Sequence, residues 1–327
     1  MTGAGSPRHI VFGAGAIGLA LVEALRRRGH QGIRLVNRSG SAPVPDDVEV
    51  VGGDASDSAF AAAVAADAHV IYQVLNPPYH RWTQEFPALQ AGVLAAAQAA
   101  GARLVSMENV YMYGRAAGRP FTEDRPLQAH TRKGRLRADM TTDLLAAHQA
   151  GRVEVAIGRA SDYYGPRGGA QSNLGDRVFA PALTGGAATV LGDPDQPHTY
   201  TYIPDIAEGL AVLGEHPAAP GEVWHLPNDP DTRTTRALVE LAYTAAGHPG
   251  ATVRSTPTLL LRALGLANPT VRELVEMLYE FEEPFVVDHS RFERAFGDHA
   301  TPLKEAIADT VRWYRGKRPA GNIRPAA

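Results

Sequence analysis

No cysteine occurs in the sequence, which rules out disulfides, thiolate nucleophiles and cysteine-type metal sites. Positive charge is not in surplus either. The 32 Lys and Arg stand against 35 Asp and Glu, a formal charge of −3, whereas a dedicated nucleic-acid binder carries a basic face. Long hydrophobic runs are missing, and none approaches the roughly 18 residues that suggest a membrane span. The opening MTGAGSPRHIVFGAG lacks the charged n-region, apolar core and cleavage site of a secretory signal. These absences predict a soluble cytoplasmic protein with no membrane and no nucleic-acid partner. The 12 histidines show no H-E-x-x-H or other compact metal spacing, so no metal is expected. A G-x-S-x-G elbow, a Walker A sequence and an internal repeat are also absent. What remains is an ordinary globular composition, with 44% hydrophobic and 20% charged residues among 327. That suffices for one large α/β domain or two domains sharing a core.

The informative stretch begins at RHIVFGAGAIGLALVEALRRRGH. His9 to Phe12 read as a buried parallel strand, and Leu19, Leu21, Val22 and Leu25 follow at helical spacing. Between them Gly13, Gly15 and Gly18 fit G-x-G-x-x-G, the dinucleotide-binding fingerprint. Gly13 permits the tight turn, Gly15 lets the backbone approach a pyrophosphate, and Gly18 lets helix and strand pack closely. Backbone N–H groups at the helix start, around Ala16 and Ile17, then face the phosphates. The next strand, GIRLVNRSG, ends in Asn37, Arg38 and Ser39 where an acidic residue would favour NAD. Arg38 can pair with a 2′-phosphate, so NADP(H) is favoured over NAD(H); the competing reading is a solvated loop arginine. Strands VEVVGGDASD and AHVIYQVLN bring Asp54 and Ala55 to the adenine edge, and Val74 and Asn76 to the same cleft. A helix from Thr83 to Ala100 and a fifth strand, RLVSMENVYMYG, continue the alternation. Strands alternating with helices predict an α/β fold with a Rossmann-type, doubly wound parallel sheet, its ligand lying across the strands' carboxyl ends.

Further motifs appear in order: Met112 to Gly114 (MYG), TEDRPL, GRASDYYGPRG, LGDPDQPHTYTYIPDIAEGL and TVRWYR. With these the chain resembles the extended short-chain dehydrogenase/reductase superfamily, the NAD(P)-dependent epimerase/dehydratase group, over nearly its whole length. The glycine turn departs from that group's more frequent Gly-x-x-Gly-x-x-Gly. The resemblance implies a coenzyme-binding domain over 1–165, to which 200–226 returns. It further implies a smaller C-terminal substrate lobe from 166–199 and 227–318, a small-molecule substrate, and a homodimer through the helices after strands four and five. The remainder, 319–327, is rich in Pro, Gly and Arg and reads as a mobile tail.

The resemblance also implies a Ser or Thr after strand five and a Tyr-x-x-x-Lys pair on the next helix. Here those positions carry Asn109, Thr131 and Arg135. A threonine hydroxyl is too weak an acid to replace a tuned phenol, and a guanidinium binds oxygens without relaying protons. Asn109 and Tyr111, two apart in an extended segment, are expected on one face. Tyr111 is thus the first candidate proton donor, in a position where the dehydratase branch carries an acid/base residue. Arg135 or Lys133 would supply the charge that brings its phenol toward neutrality, and Lys133 would reach the coenzyme ribose if the helix started differently. The competing reading makes Tyr111 a packed aromatic and RKGRLR a solvated helix start.

Ser161 and Asp162 are expected to border the nicotinamide end, although Asp162 reads equally as a cap for the YYGP turn. Nucleotide-sugar members often hold substrate phosphate with an arginine that aligns with His198 here, which points away from a nucleotide-sugar substrate. His198 then reads as a group that binds or protonates a substrate, or as a structural surface histidine. Tyr200, Tyr202 and Trp224 read as core, Met277, Tyr279 and Phe281 as pocket wall or packing, and EFEEP as a solvated helix end. Three functions follow. The leading one is an NADP(H)-dependent oxidoreductase acting on a carbonyl or alcohol. The alternatives are a redox-neutral epimerase, dehydratase or other lyase/isomerase, and a non-catalytic nucleotide sensor.

Overall fold

The computed structural model describes residues 8–317 apart from 257 and 268, and only the backbone at 258–260, 262, 264, 269 and 270. The expected tail, 319–327, lies outside the described residues.

The chain alternates as the sequence predicts: β1 (Arg8–Phe12), α1 (Ala16–Arg27), β2 (Gly32–Asn37), β3 (Glu49–Gly52), α2 (Ser58–Val64), β4 (Val70–Gln73), α3 (Trp82–Ala100), β5 (Arg103–Glu108), α4 (Arg132–Gln149) and β6 (Val155–Arg159). These strands form one parallel sheet in the order β3, β2, β1, β4, β5, β6. Side chains of β1 alternate between its two faces. Val11 joins Leu21, Leu25 and Val105 on one side, while Ile10 and Phe12 join Ile71, Leu104 and Ile157 on the other. Both faces are therefore dry, which is why the strands read as continuous apolar runs rather than alternating ones. Strand order reverses between β1 and β4, and such a switch point opens a crevice at the strands' carboxyl ends.

After β6 the chain adds β7 (Asp162–Tyr164), α5 (Asp176–Ala182), β8 (Ala188–Leu191), β9 (Tyr200–Tyr202), α6 (Ile203–Glu215) and β10 (Val223–His225). β10 becomes the seventh strand, beside β6, and α6 packs with α1 on one sheet face. Then come α7 (Thr235–Ala246), β11 (Val253–Thr256), α8 (Thr258–Ala267), α9 (Pro269–Val275), α10 (Ser290–Phe296) and α11 (Leu303–Gly316). Residues of α5, β8, α7 and α11 enclose a separate apolar core that includes Phe179, Val190, Leu238 and Val311. Tyr200, Tyr202 and Trp224 are buried.

Between the sheet and this second core lies a smaller cluster containing Val110, Tyr113, Phe121, Tyr279 and Phe285, with Tyr79 and Tyr111 packed on it. It joins the segments after β4 and β5 to the segment after α9. Two strands stop sooner than the sequence suggests. β4 ends at Gln73 and β5 at Glu108, and Tyr111–Tyr113 form a 3-10 turn. Asn109 and Tyr111 thus do not share a face of an extended strand. Gly114, with φ +74, closes the turn where a Cβ would come within 2.5 Å of the Gln128 carbonyl oxygen.

Candidate active site

The coenzyme end is built by the turn from β1 into α1. Gly13 has φ +119, and its N–H donates to the Val36 carbonyl at 2.9 Å. A Cβ on Gly18 would stand 1.9 Å from the Gly13 carbonyl oxygen, so turn and helix touch where only glycine fits. A Cβ on Gly15 would meet nothing within 4 Å, and Gly15 is exposed. Open space over the middle glycine, between two that are closed off, is the shape a pyrophosphate needs. The first turn of α1 has no acidic residue and no side-chain cap, leaving its N–H groups free for an anion. The chain fits a dinucleotide here.

Asn37, Arg38, Asp54, Ala55 and Asn76 are brought together, with Gln84 and Leu89, around a cleft of about 230 Å³. Their roles within it differ. The Asn37 side chain closes its own turn, donating to the Ser41 carbonyl at 2.8 Å and accepting from the Gly40 N–H at 2.7 Å and the Ser39 hydroxyl at 3.1 Å. Asn37 and Ser39 thus shape the loop, and Arg38 is left exposed at its tip. Asp54 accepts from the Ser56 N–H at 2.9 Å and hydroxyl at 2.8 Å. Those bonds, with a smaller pull from Arg38, hold its carboxyl below the usual aspartate range. Val74 closes the floor, its carbonyl oxygen 2.8 Å from where a Gly13 Cβ would stand. Ser161, just beyond β6, has a buried hydroxyl with no partner among the described residues, an orphan that a bound coenzyme could satisfy.

At the reactive end, the Tyr79 hydroxyl donates to the Tyr111 hydroxyl at 3.2 Å, and the Asn109 side chain accepts from the Tyr111 N–H at 3.2 Å. Burial pushes the Tyr111 phenol well above its ordinary value, and Tyr79, Glu280 and Asp162 push it the same way. The expected cationic activation of Tyr111 is therefore not what the fold provides. Arg135 is exposed and donates to the His130 carbonyl at 2.9 Å. Lys133 is the residue that turns inward, 2% exposed. Its ammonium sits 4.6 Å over the Tyr79 ring and is enclosed by Glu273 and, at 3.0 Å, Glu276. Thr131 is the N-cap of α4, its hydroxyl accepting from the Gly134 N–H at 3.0 Å. The helix starts at Arg132, which is why residues 133 and 135 take opposite surroundings.

Asp162 and His198, far apart in sequence, meet at 2.8 Å through Oδ2 and Nε2. His198 Nδ1 faces the Glu280 carbonyl oxygen at 3.1 Å. Both ring nitrogens thus face acceptors. The ring is buried and stacked near Phe281 and Phe285, at 5.0 and 5.1 Å.

Glu280 overturns the reading of EFEEP as a solvated helix end. It is 1% exposed, and among the described residues its carboxyl meets only the Tyr279 hydroxyl, at 3.4 Å. Burial, helped by Asp162, pushes it well above the usual glutamate value. Tyr79 is the other residue missed, because PPYHRW reads as a chain turning away from the sheet. Beneath the site Glu108 is buried with Arg159 at 3.1 Å, Arg137 at 3.6 Å and the Thr141 hydroxyl at 2.7 Å. Among the described residues no His, Asp and Glu cluster is placed to hold a metal, and no helix is long and apolar enough to cross a membrane.

Fold and glycine turn together define a coenzyme-binding α/β enzyme. Residues 10–226 match the NAD dependent epimerase/dehydratase family, and the chain belongs to that family of NAD-dependent enzymes. It is 25% identical over 268 residues, 80% of this chain and 75% of the relative, to a dTDP-glucose 4,6-dehydratase of Streptomyces griseus. Among solved structures, a dTDP-glucose 4,6-dehydratase from Streptomyces venezuelae with NAD bound superposes with a TM-score of 0.76 at 21% identity, covering 95% of this chain and 98% of that one. A Thermus thermophilus UDP-glucose 4-epimerase complexed with NAD superposes with a TM-score of 0.74 at 20% identity, covering 95% and 100%. At those identities the superpositions speak for the fold.

Proposed function

We propose that the chain is an NADP(H)-dependent oxidoreductase that reduces a small carbonyl compound, with Tyr111 as the proton donor. A nicotinamide coenzyme bound over the glycine turn supplies the hydride. The observation that carries the reading is that the reactive end is stocked with protons. The Tyr79, Tyr111 and Tyr279 phenols and the Glu280 carboxyl are all pushed upward. Reduction places negative charge on a substrate oxygen and consumes one proton, so such a site suits it. Oxidising an alcohol first would need a base, and the usual lysine-tuned tyrosine is absent. Tyr111 gives its proton to the nascent oxygen, Tyr79 donates to Tyr111 and steadies it, and Asn109 fixes the main chain of the turn. Thr131 and Arg135 serve by setting the start of α4. Ser161 and the N–H groups of residues 16–18 hold the coenzyme, and Arg38 grips its 2′-phosphate.

A redox-neutral epimerase or dehydratase is the second reading, favoured by what the relatives are called and by an Asp162 carboxylate facing the same cluster. The division into 1–165 with 200–226, and a lobe of 166–199 with 227–318, belongs to the proposal. It is supported by β10 lying beside β6 and by the separate core of α5, α7 and α11. A cytoplasmic homodimer through α3 and α4 is part of it too, and sedimentation would test the assembly. The functional experiment is a screen of aldehydes and ketones with NADPH, following absorbance of the reduced nicotinamide and substrate loss together. Equal loss of both supports reduction. Substrate loss without coenzyme oxidation moves the assignment to the redox-neutral reading, and coenzyme binding without any turnover leaves only a sensor.

A further inference from the structure

Asp162 and His198 are set against each other by the fold. Asp162 opens β7 in register with Tyr200 of the parallel β9, two residues beyond His198. The main chain there is pinned from both sides. The His198 N–H donates to the Arg233 carbonyl at 3.0 Å, and the Thr199 N–H donates to the Phe285 carbonyl at 2.8 Å. The imidazole is buried among the rings of Tyr200, Phe281 and Phe285, with centroids 4.4, 5.0 and 5.1 Å away. A ring so fixed holds Nε2 at Asp162 Oδ2, 2.8 Å away. An ionised carboxylate only accepts, so with Asp162 ionised Nε2 is the donor. Asp162 Oδ1 has no hydrogen-bond partner among the described residues, and this side chain is partly exposed. The same contacts lead to the reactive end. His198 Nδ1 faces the Glu280 carbonyl, the Glu280 carboxyl meets the Tyr279 hydroxyl, and Tyr279 and Phe285 belong to the cluster on which Tyr79 and Tyr111 pack. Asp162 also acts on Tyr79, Tyr111 and Glu280 through its charge, raising all three. One open carboxylate thus stands beside groups that keep their protons, the division between base and acid that proton abstraction next to a carbonyl uses.

We propose that Asp162 is a catalytic base with His198 as its positioning residue: Oδ1 takes a proton from the carbon next to a substrate carbonyl whose oxygen the Tyr79 and Tyr111 hydroxyls hold. The C–H bond breaks, its electron pair becomes the carbon–carbon double bond of an enolate, and the carbonyl π pair moves onto the oxygen. The Tyr111 hydroxyl hydrogen-bonds that oxygen as its charge develops. The reverse steps return a proton from Asp162, which meanwhile exchanges with water. No electrons leave the substrate, so this activity needs no hydride. It rests on the function proposed above for the carbonyl compound alone.

The experiment is α-proton exchange in heavy water, followed by proton NMR, with the chain both NADP⁺-loaded and coenzyme-free. Neither form holds a hydride to give, so exchange is read apart from reduction. Hydroxyacetone, dihydroxyacetone, dihydroxyacetone phosphate and cyclohexanone are tested, with every carbonyl compound that oxidises NADPH in the screen. At least one is expected to exchange about a hundredfold faster than in buffer, with no reduced nicotinamide formed. Exchange without NADPH oxidation in the screen supports the inference while the oxidoreductase reading fails. No exchange above buffer overturns the inference, and NADPH oxidation by the same compounds would leave that reading standing. Asp162→Asn is expected to return exchange to the buffer rate with Tm and NADPH binding kept, and undiminished exchange overturns the assignment. His198→Phe keeps the ring packing and removes the donor. It leaves Glu280, Tyr79, Tyr111 and Tyr200 around Asp162 in place, and losing a bond to the ionised form raises a carboxyl. The acid limb of the pH–rate profile therefore moves to higher pH, and His198→Gln, which restores an N–H near the Nε2 position, brings it back. Identical profiles for the parent and both variants overturn the positioning role.

Discussion

The Tyr79 hydroxyl lies 3.2 Å from that of Tyr111, and the Lys133 ammonium sits 4.6 Å over the Tyr79 ring. A charge held over a ring face strengthens packing but leaves the phenol oxygens unactivated. In the proposed reduction the pair acts as neutral hydroxyls in series. Tyr111→Phe is expected to lower kcat by roughly 10²–10⁴-fold, the usual worth of a positioned acid, with NADPH affinity unchanged. Tyr79→Phe removes only one neutral hydrogen bond and is expected to cost about 1 kcal/mol, roughly fivefold in rate. Stopped-flow turnover with calorimetric NADPH binding checks both, and a fully active Tyr111→Phe enzyme eliminates Tyr111 as the acid.

The proposed preference for NADP(H) rests on Arg38, at the tip of the loop that Asn37 and Ser39 close. No carboxylate stands at the end of β2 to accept ribose hydroxyls. Arg38→Ser is expected to weaken NADPH binding by about 1.5–3 kcal/mol, the worth of a hydrogen bond to a charged group, and to leave NADH binding nearly unchanged. Equal losses for both coenzymes would show that Arg38 does not read the 2′-phosphate.

The strand, glycine turn and helix at the start of the sheet were legible in the sequence because their signals are local. A strand, three glycines and a helix lie within twenty residues, and Gly13 and Gly18 answer backbone demands while Gly15 leaves open space. The reactive half was not, because its members are contributed by β4, β5, β7 and the segment after α9. EFEEP looks solvated because three of its five residues are acidic, and nothing nearby reveals that Phe281 and Tyr279 carry Glu280 inward. The spacing of Asn109 and Tyr111 suggested a shared strand face, but β5 ends at Glu108 and a 3-10 turn follows. The basic cluster misled in a similar way. Helix phase turned Lys133 inward and Arg135 outward, a difference decided by the cap at Thr131.

Glu280 gives a pH signature in stability. Burial and Asp162 raise its carboxyl well above the usual glutamate value, against a smaller opposing hydrogen bond from Tyr279. Tyr79 and Tyr111 face the same space, and Lys133 beyond them is held by Glu273 and Glu276. The folded chain thus binds this proton more tightly than the unfolded chain does. That stabilisation is complete below the unfolded glutamate value and is lost as pH rises through the folded one. Glu280→Gln should melt close to the parent at about pH 5 and progressively above it toward about pH 9. A constant difference in Tm across that range would show that Glu280 is ionised in the fold.

Glu108 stands against two buried guanidiniums, Arg159 and Arg137. Glu108→Leu would leave both cations unmatched in the interior. Breaking a buried pair from one side costs about 3–5 kcal/mol, so the variant is expected to lose that much in urea unfolding or to fail to fold. A loss under about 1 kcal/mol would mean that water reaches this network.

Two alanine substitutions in the glycine turn separate folding from coenzyme binding. At Gly18 the new Cβ would stand 1.9 Å from the Gly13 carbonyl oxygen, so helix and turn must part. Gly18→Ala is expected to lower Tm and coenzyme affinity together. At Gly15 the new methyl meets nothing within 4 Å, and the backbone, at φ −74, already suits alanine. Gly15→Ala should therefore fold as the parent does, or slightly more stably through lower unfolded-chain entropy. Only the space over the turn is lost. If that space receives the pyrophosphate, Gly15→Ala binds NADPH at least about tenfold more weakly while its Tm without coenzyme is unchanged. Retained NADPH affinity in a normally folded Gly15→Ala chain would place the coenzyme somewhere other than over this turn.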